Sequence, residues 1–348
     1  MTDKRVSSGV RFMRSPHESM AELVPAGIAG IGHFVPEQVI DNEWFTKTLD
    51  TSDEWIQQRT GIVERRWLRD DEKPCDMFVG AGKMAMEDAG VNPEDIDMIV
   101  IGTVSGDYTA PSAACIVQAR LGLGKCGAFD VAAACSGFMY ALAVGSQFIE
   151  TGKYKNVLVI GGDAMSRMIN KQDRSTVVLF GDGSGAVVLQ PHATCKRGLI
   201  EDIHIGADGE GAKYIIRPRG GAGDPMTHEI LDEGSHFITM EGRPVYRFAA
   251  SKMIWLLDWA MHGQDPDKLG WMIPHQMNRR ILEQATNHLG IPPEKVLHNI
   301  SKYGNTSSAS VPILMSEGYH KGLYKSGTYL VLGAFGCGLT WAGARILW

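Results

Sequence analysis

The sequence predicts an α/β protein built from two similar halves, and three observations carry that prediction. Apolar runs at 98–101 and 157–160 are short and unbroken, as in strands covered on both faces. Segments with helical periodicity alternate with them. The same alternation resumes after a stretch rich in Gly, Pro and charge at 206–234, which points to a duplicated architecture.

The elements follow in order. Residues 28–31 form a short strand. A mostly helical stretch at 42–58 breaks at Asp50-Thr51-Ser52, an N-cap cluster for the run that starts at Asp53. A helix over 77–88 stops at Gly90, and Asn92-Pro93-Glu94 makes the next turn. Pro111 suits the first turn of a helix that ends at Gly122 or Gly124. Segments 176–180 and 186–189 flank Gly181-Asp182-Gly183-Ser184-Gly185 and read as a hairpin with a glycine-rich turn. No helix pattern follows these glycines, so they do not form a dinucleotide loop. In the second half, helices are expected over 244–261, 278–288 and 310–320, with strands at 271–273, 329–332 and 339–347. The division that results is a poorly ordered N-terminal extension (1–25), a first half (26–200), a loop-rich connection (201–240) and a second half (241–348).

Composition excludes several classes. A net charge of −6 over 348 residues argues against general nucleic-acid binding. No apolar run reaches the length of a membrane span. The six cysteines include no Cys-x-x-Cys pair and have no zinc-type spacing with histidines, so a reducing cytoplasm is expected. The leader has Arg5, Arg11 and Arg14 but no apolar secretory core.

The chemistry converges on three segments, each a strand or turn that ends in a reactive residue. Cys135 sits in Ala132-Ala133-Ala134-Cys135-Ser136-Gly137-Phe138, where a strand gives way to a helix. The helix dipole and unpaired N–H groups there would lower the thiol pKa and favour a nucleophilic thiolate. The alternative is a buried cysteine acting as a small hydrophobe. Pro274-His275-Gln276 delivers His275, and Gly304-Asn305-Thr306-Ser307 delivers Asn305 ahead of a helix. Taken singly, His275 could be a structural hydrogen-bonder and Asn305 a turn residue. A cysteine, a histidine and an asparagine this far apart in sequence are the parts of a thiol-based acyl-transfer site.

Together these segments resemble the β-ketoacyl-acyl carrier protein synthase III family. So do Asp50-Thr51-Ser52-Asp53-Glu54-Trp55-Ile56, Arg59-Thr60-Gly61-Ile62, Phe180-Gly181-Asp182-Gly183 and Ala334-Phe335-Gly336, all in family order. The resemblance implies a thiolase fold: five layers, α-β-α-β-α, from two related βαβαβαββ halves, as a homodimer. It implies condensation of an acyl-CoA primer with malonyl-acyl carrier protein and no metal or organic cofactor. Cys135 would carry the acyl group. The backbone N–H groups of Cys135 and Cys337 would bind the oxyanion, and His275 and Asn305 would donate to the enolate. Trp55 and Arg174 would sandwich the CoA adenine, with Arg59 and Thr60 along the CoA tunnel. Arg247 and Arg280 would meet the acidic carrier protein, and Ala110 and Phe335 would shape the acyl pocket.

Two departures stand out. The family's Gly-Gly-Gly turn reads Gly336-Cys337-Gly338 here, a hint of thiolase-like, non-decarboxylative chemistry that Asn305 opposes. Ala110 stands where some members carry a bulky residue at the dimer interface, so primers longer than acetyl are expected, with Met277 as a possible obstruction. Two rival readings stand: a relative in secondary metabolism that handles a non-standard acyl group, and a non-catalytic binding homologue, against which the complete set of Cys135, His275 and Asn305 argues.

Overall fold

A computed structural model describes residues 23–348. The expected N-terminal extension lies, up to residue 22, outside the described residues. Among the described residues the main sheet has nine strands, in spatial order Gly127–Val131, Met98–Gly102, Val157–Ala164, Asp182–Pro191, Ala26–Phe34, Leu199–Ala207, Thr340–Leu347, Tyr329–Gly336 and Leu269–Pro274. The halves meet where Ala26–Phe34 touches Leu199–Ala207, through the single pair Gly27 and Leu199.

Topology shows the duplication. In the first half Ala26–Phe34 pairs antiparallel with Asp182–Pro191, which pairs antiparallel with Val157–Ala164. Val157–Ala164 runs parallel to Met98–Gly102, and that strand runs parallel to Gly127–Val131. The second half repeats the pattern from Leu199–Ala207 through Thr340–Leu347 and Tyr329–Gly336 to Leu269–Pro274. There the fifth position is reduced to one parallel bridge between Met272 and Val296.

Burial supplies the layers. Helices Gly137–Glu150 and Ser310–His320 touch strands of both half-sheets, and their apolar residues join Val159, Val187, Leu330 and Leu332 in a central core. Helices Pro74–Ala89 and Ala113–Arg120 cover the outer face of the first half. Helices Gly242–Met261 and Arg279–His288 cover the outer face of the second. The order is therefore α-β-α-β-α. Strand Val157–Ala164 is buried along its whole length, which is why it reads as an unbroken apolar run.

Three local expectations need correction. The hairpin at 176–189 does not exist: Arg174–Val177 is a short helix, and Asp182–Pro191 is one long strand. Its glycines serve packing, because a Cβ on Gly185 would lie 2.7 Å from the backbone carbon of Pro312 in the central helix. Pro111 precedes the helix, which begins at Ala113 behind the N-cap Ser112. Strand Leu199–Ala207, read largely as connection, is the first strand of the second half-sheet.

Candidate active site

One cavity is lined by Cys135, His275, Asn305, Ser307, Phe335, Gly336 and Cys337. The remainder of its wall is apolar and includes Phe180, Met277 and Leu339, together with Val245 and Phe248 from helix Gly242–Met261. Ile215, Ile238 and Met240 complete it from the loop-rich connection, whose role as a cavity wall had no periodic signal in the sequence.

Cys135 lies in a single helical turn, Ala134–Ser136, directly before helix Gly137–Glu150. Ala134 ahead of it has φ +45°, left-handed backbone that a non-glycine residue adopts only under constraint. Gly336 packs against this turn so closely that a Cβ would fall 2.8 Å from Cys135 N and 3.0 Å from Ala133 O. The chain turn at Cys337 is thereby held over the cysteine. The expected low thiol pKa is corrected: burial pushes the Cys135 thiol up to about 12, the Cys337 sulfur adds to the rise, and the Ser307 side chain offsets only part of it. With its pKa raised, the resting thiol is protonated at neutral pH. Cys337 is pushed up as well, to about 11, first by burial and then by the charge of Asp163.

His275 follows strand Leu269–Pro274, and its backbone N–H donates to Gly333 O at 2.7 Å. The ring is buried, meets Phe335 edge-on at 5.6 Å, and among the described residues has no hydrogen-bond partner for Nδ1 or Nε2. Two unpaired nitrogens at a cavity wall mark a site for a polar ligand. Burial lowers the imidazole pKa to about 3, so the ring is neutral at physiological pH. Gln276 anchors it: Gln276 N donates to Ser310 Oγ at 2.6 Å, while Gln276 Oε1 accepts from Asn299 N and Ile300 N.

Asn305 N donates to Leu179 O at 2.8 Å, and Asn305 O accepts from Gly181 N at 3.0 Å. Asn305 Oδ1 accepts from Ser307 N at 2.9 Å. With that oxygen occupied, Nδ2 is the group left to donate into the cavity. Ser307 itself has φ +53°.

The proposed CoA residues are gathered near one another outside the cavity. The Arg174 guanidinium lies 4.8 Å from the Trp55 ring centroid and the Arg59 guanidinium 5.8 Å from it. An adenine between two such planes needs two contact gaps of roughly 3.5 Å each, so the pair is closed as it stands. Arg174 also pairs with Asp50 at 3.7 Å. Thr60 departs from expectation. It is buried, and its hydroxyl donates to Ile56 O at 2.7 Å and accepts from Ile62 N at 3.0 Å, so it closes its own helix rather than facing a tunnel. Arg247 and Arg280 are exposed, on the two helices that cover the second half. Phe335 reaches the cavity; Ala110 does not, and sits exposed on the loop before Pro111. Within one chain it contacts no acyl pocket.

Sequence reading missed Asp163. It lies near the end of the buried strand Val157–Ala164, fully shielded from solvent, and its carboxylate takes hydrogen bonds from Thr103, Val104, Ser105 and Ser308. A charged residue closing an all-apolar run was the available signal. Among the described residues, no group of three or more His, Cys, Asp and Glu side chains is arranged to hold a metal ion.

Such a fold and such a cavity define an acyl-transferring enzyme of thiolase type. Residues 129–209 match the family model described as 3-oxoacyl-[acyl-carrier-protein] synthase III, and residues 260–348 match its C-terminal counterpart. The β-ketoacyl-[acyl-carrier-protein] synthase III of Caldanaerobacter subterraneus is 46% identical, over 94% of this chain and 99% of that protein. The crystal structure of 3-oxoacyl-[acyl-carrier-protein] synthase III from Aquifex aeolicus superposes with a TM-score of 0.85 at 38% identity, covering 93% of this chain and 100% of that one. The priming β-ketosynthase of the R1128 polyketide biosynthetic pathway superposes with a TM-score of 0.86 at 31% identity, covering 95% and 99%. The chain belongs to the β-ketoacyl-[acyl-carrier-protein] synthase III family. Among the described residues, no helix is long and apolar enough to cross a membrane.

Proposed function

We propose that the protein condenses an acyl-CoA with malonyl-acyl carrier protein through an acyl-Cys135 intermediate, giving β-ketoacyl-acyl carrier protein, CoA and carbon dioxide. The observation that carries this reading is the convergence of Cys135, His275 and Asn305 on one apolar cavity, with both His275 nitrogens free of partners among the described residues.

The Cys135 sulfur attacks the thioester carbon of the primer. The C–S bond to CoA breaks, and CoA leaves with the thiol proton. The tetrahedral oxyanion on the way is held by the N–H groups of Cys135 and Cys337. Malonyl-acyl carrier protein then loses carbon dioxide, and the electron pair of the broken C–C bond moves onto its thioester oxygen as an enolate. His275 and Asn305 Nδ2 donate to that oxygen, and neither bond is needed before the charge develops. The enolate carbon attacks the acyl carbonyl, and the Cys135 sulfur leaves and recovers a proton. Loss of carbon dioxide drives the carbon–carbon bond, so the reaction calls on no metal or organic cofactor.

Trp55, Arg59 and Arg174 receive the CoA adenine once Arg174 swings off the indole. Arg247 and Arg280 attract the acidic carrier protein, which predicts a salt-sensitive KM. The working unit is a homodimer, and its place is the cytoplasm, where the six free cysteines stay reduced.

Intact-protein mass spectrometry after incubation with a series of acyl-CoAs should show one acyl adduct, absent in Cys135→Ala. Malonyl-acyl carrier protein should then discharge it with release of carbon dioxide. Cys337 beside Cys135 favours a second reading, non-decarboxylative condensation, and discharge without carbon dioxide would establish that reading instead.

A further inference from the structure

The mechanism above leaves one buried ionisable group unused. Asp163 has no exposed surface, and no cation pairs with it among the described residues. A carboxylate in that position is costly unless hydrogen bonds replace its water. The donors come from two loops distant in sequence. Asp163 Oδ1 accepts from Val104 N at 2.9 Å, Ser105 Oγ at 2.8 Å and Thr103 Oγ1 at 3.1 Å. Asp163 Oδ2 accepts from Ser308 N at 3.2 Å.

The loop held through Ser308 is the one that orients Asn305. Ser307 adopts left-handed backbone, and its N–H donates to Asn305 Oδ1. A serine has little reason to stay at φ +53° unless neighbouring contacts fix it. The contacts present are Ser308 N to Asp163 and Ser308 Oγ to Gly102 O at 2.7 Å.

We propose that Asp163 is a positioning residue for the condensation step: its carboxylate clamps the Ser307–Ser308 turn, and the turn holds the Asn305 amide with Nδ2 facing the cavity. The proposal rests on the reading of Asn305 as an enolate donor. Asp163 touches no substrate. Its influence falls on the half-reaction that uses Asn305, and acyl loading of Cys135 is largely independent of it.

The test compares the two half-reactions in wild type, Asp163→Asn, Asn305→Ala and the double variant. Loading is followed by mass spectrometry with acyl-CoA, and condensation by single-turnover release of carbon dioxide. Asp163→Asn should load within about twofold of wild type and condense about tenfold or more slower, the scale of one misplaced donor. The double variant should condense no more slowly than Asn305→Ala alone. Equal losses in loading and condensation, or multiplying effects in the double variant, would overturn the proposal, because a general structural defect gives both. Should Asp163→Asn fail to fold, Ser105→Ala removes one of the donors to the carboxylate and should slow condensation alone. An equal drop in loading would count against the clamp. A crystal structure of whichever of the two folds is a substrate-free check, and an unchanged Asn305–Ser307 hydrogen bond would refute the clamp. If wild type itself never loaded, the proposed function would fall while that structure still judged the clamp.

Discussion

His275 shows how burial sets both chemistry and acid sensitivity. Its folded pKa, about 3, lies below the ordinary histidine value of 6.5, and desolvation is the cause. Between those values the unfolded chain binds a proton that the folded chain refuses. Stability therefore rises with pH across that window and is lost as pH falls from about 6.5 toward 3. Carboxylates titrate over the same range, so the informative quantity is a difference. His275→Asn should lose fewer degrees of Tm than wild type between pH 6.5 and 4, by roughly a few degrees, measured by thermal melts. The same variant should retain Cys135 loading and lose condensation by about 10²–10³, the scale of one displaced oxyanion donor, because the shorter amide reaches only as far as Nδ1 of the ring it replaces. Equal acid sensitivity of the two proteins would show that the ring is not held neutral. Cys135, His275 and Asn305 were legible in the sequence because each sits in a short local motif at a strand or turn end. The thiol pKa was not, because it depends on burial in a cavity walled by segments remote in sequence, among them Phe180 and the stretch from Phe335 to Leu339.

Elements were legible where their burial is uniform and obscure where their partners are remote. Strand Val157–Ala164 and helix Ser310–His320 follow from periodicity and length. The glycines at 181–185 misled because glycine marks both a turn and a close approach, and only the facing helix tells them apart. Asp163 was hidden for a similar reason, since its donors lie 58 to 60 and 145 residues away. Gly336 is a second close approach, and it makes a prediction. In Gly336→Ala the new Cβ would meet the backbone of Ala133, Cys135 and Ser136, none of which can turn aside as a side-chain tip can. The strand end and the cysteine turn must separate. The expected cost is about 1–3 kcal/mol in stability, read by denaturant unfolding. Acyl loading should slow more than the condensation of preloaded enzyme slows, because the cysteine turn and the strand end each carry one of the N–H groups assigned to the first oxyanion. A variant as stable and as fast as wild type would remove Gly336 from that role.

At the scale of the molecule, the sheet leaves one conspicuous edge. Among the described residues, strand Gly127–Val131 pairs with Met98–Gly102 on one side only, and all five of its residues are partly exposed. An unpaired edge next to apolar side chains is a template for another strand. A second copy meeting it would bring its own exposed loop, the one that carries Ala110, near this half of the molecule, since that loop leads into the helix Ala113–Arg120 packed on the same strand. Ala110 lies outside the cavity of its own chain, so any effect on primer choice has to act across such an interface. Ala110→Phe separates the possibilities. If the partner's loop closes the acyl pocket, the added ring takes up space, and loading of Cys135 should fall about tenfold or more for medium-chain acyl-CoA while acetyl-CoA is little affected. Light scattering should report a dimer for both proteins, because a residue that only lines the pocket does not hold the interface. An unchanged chain-length profile in a dimeric variant would place the length limit within one chain. Met277, two residues beyond His275 and already in the cavity wall, would then be the side chain that sets it.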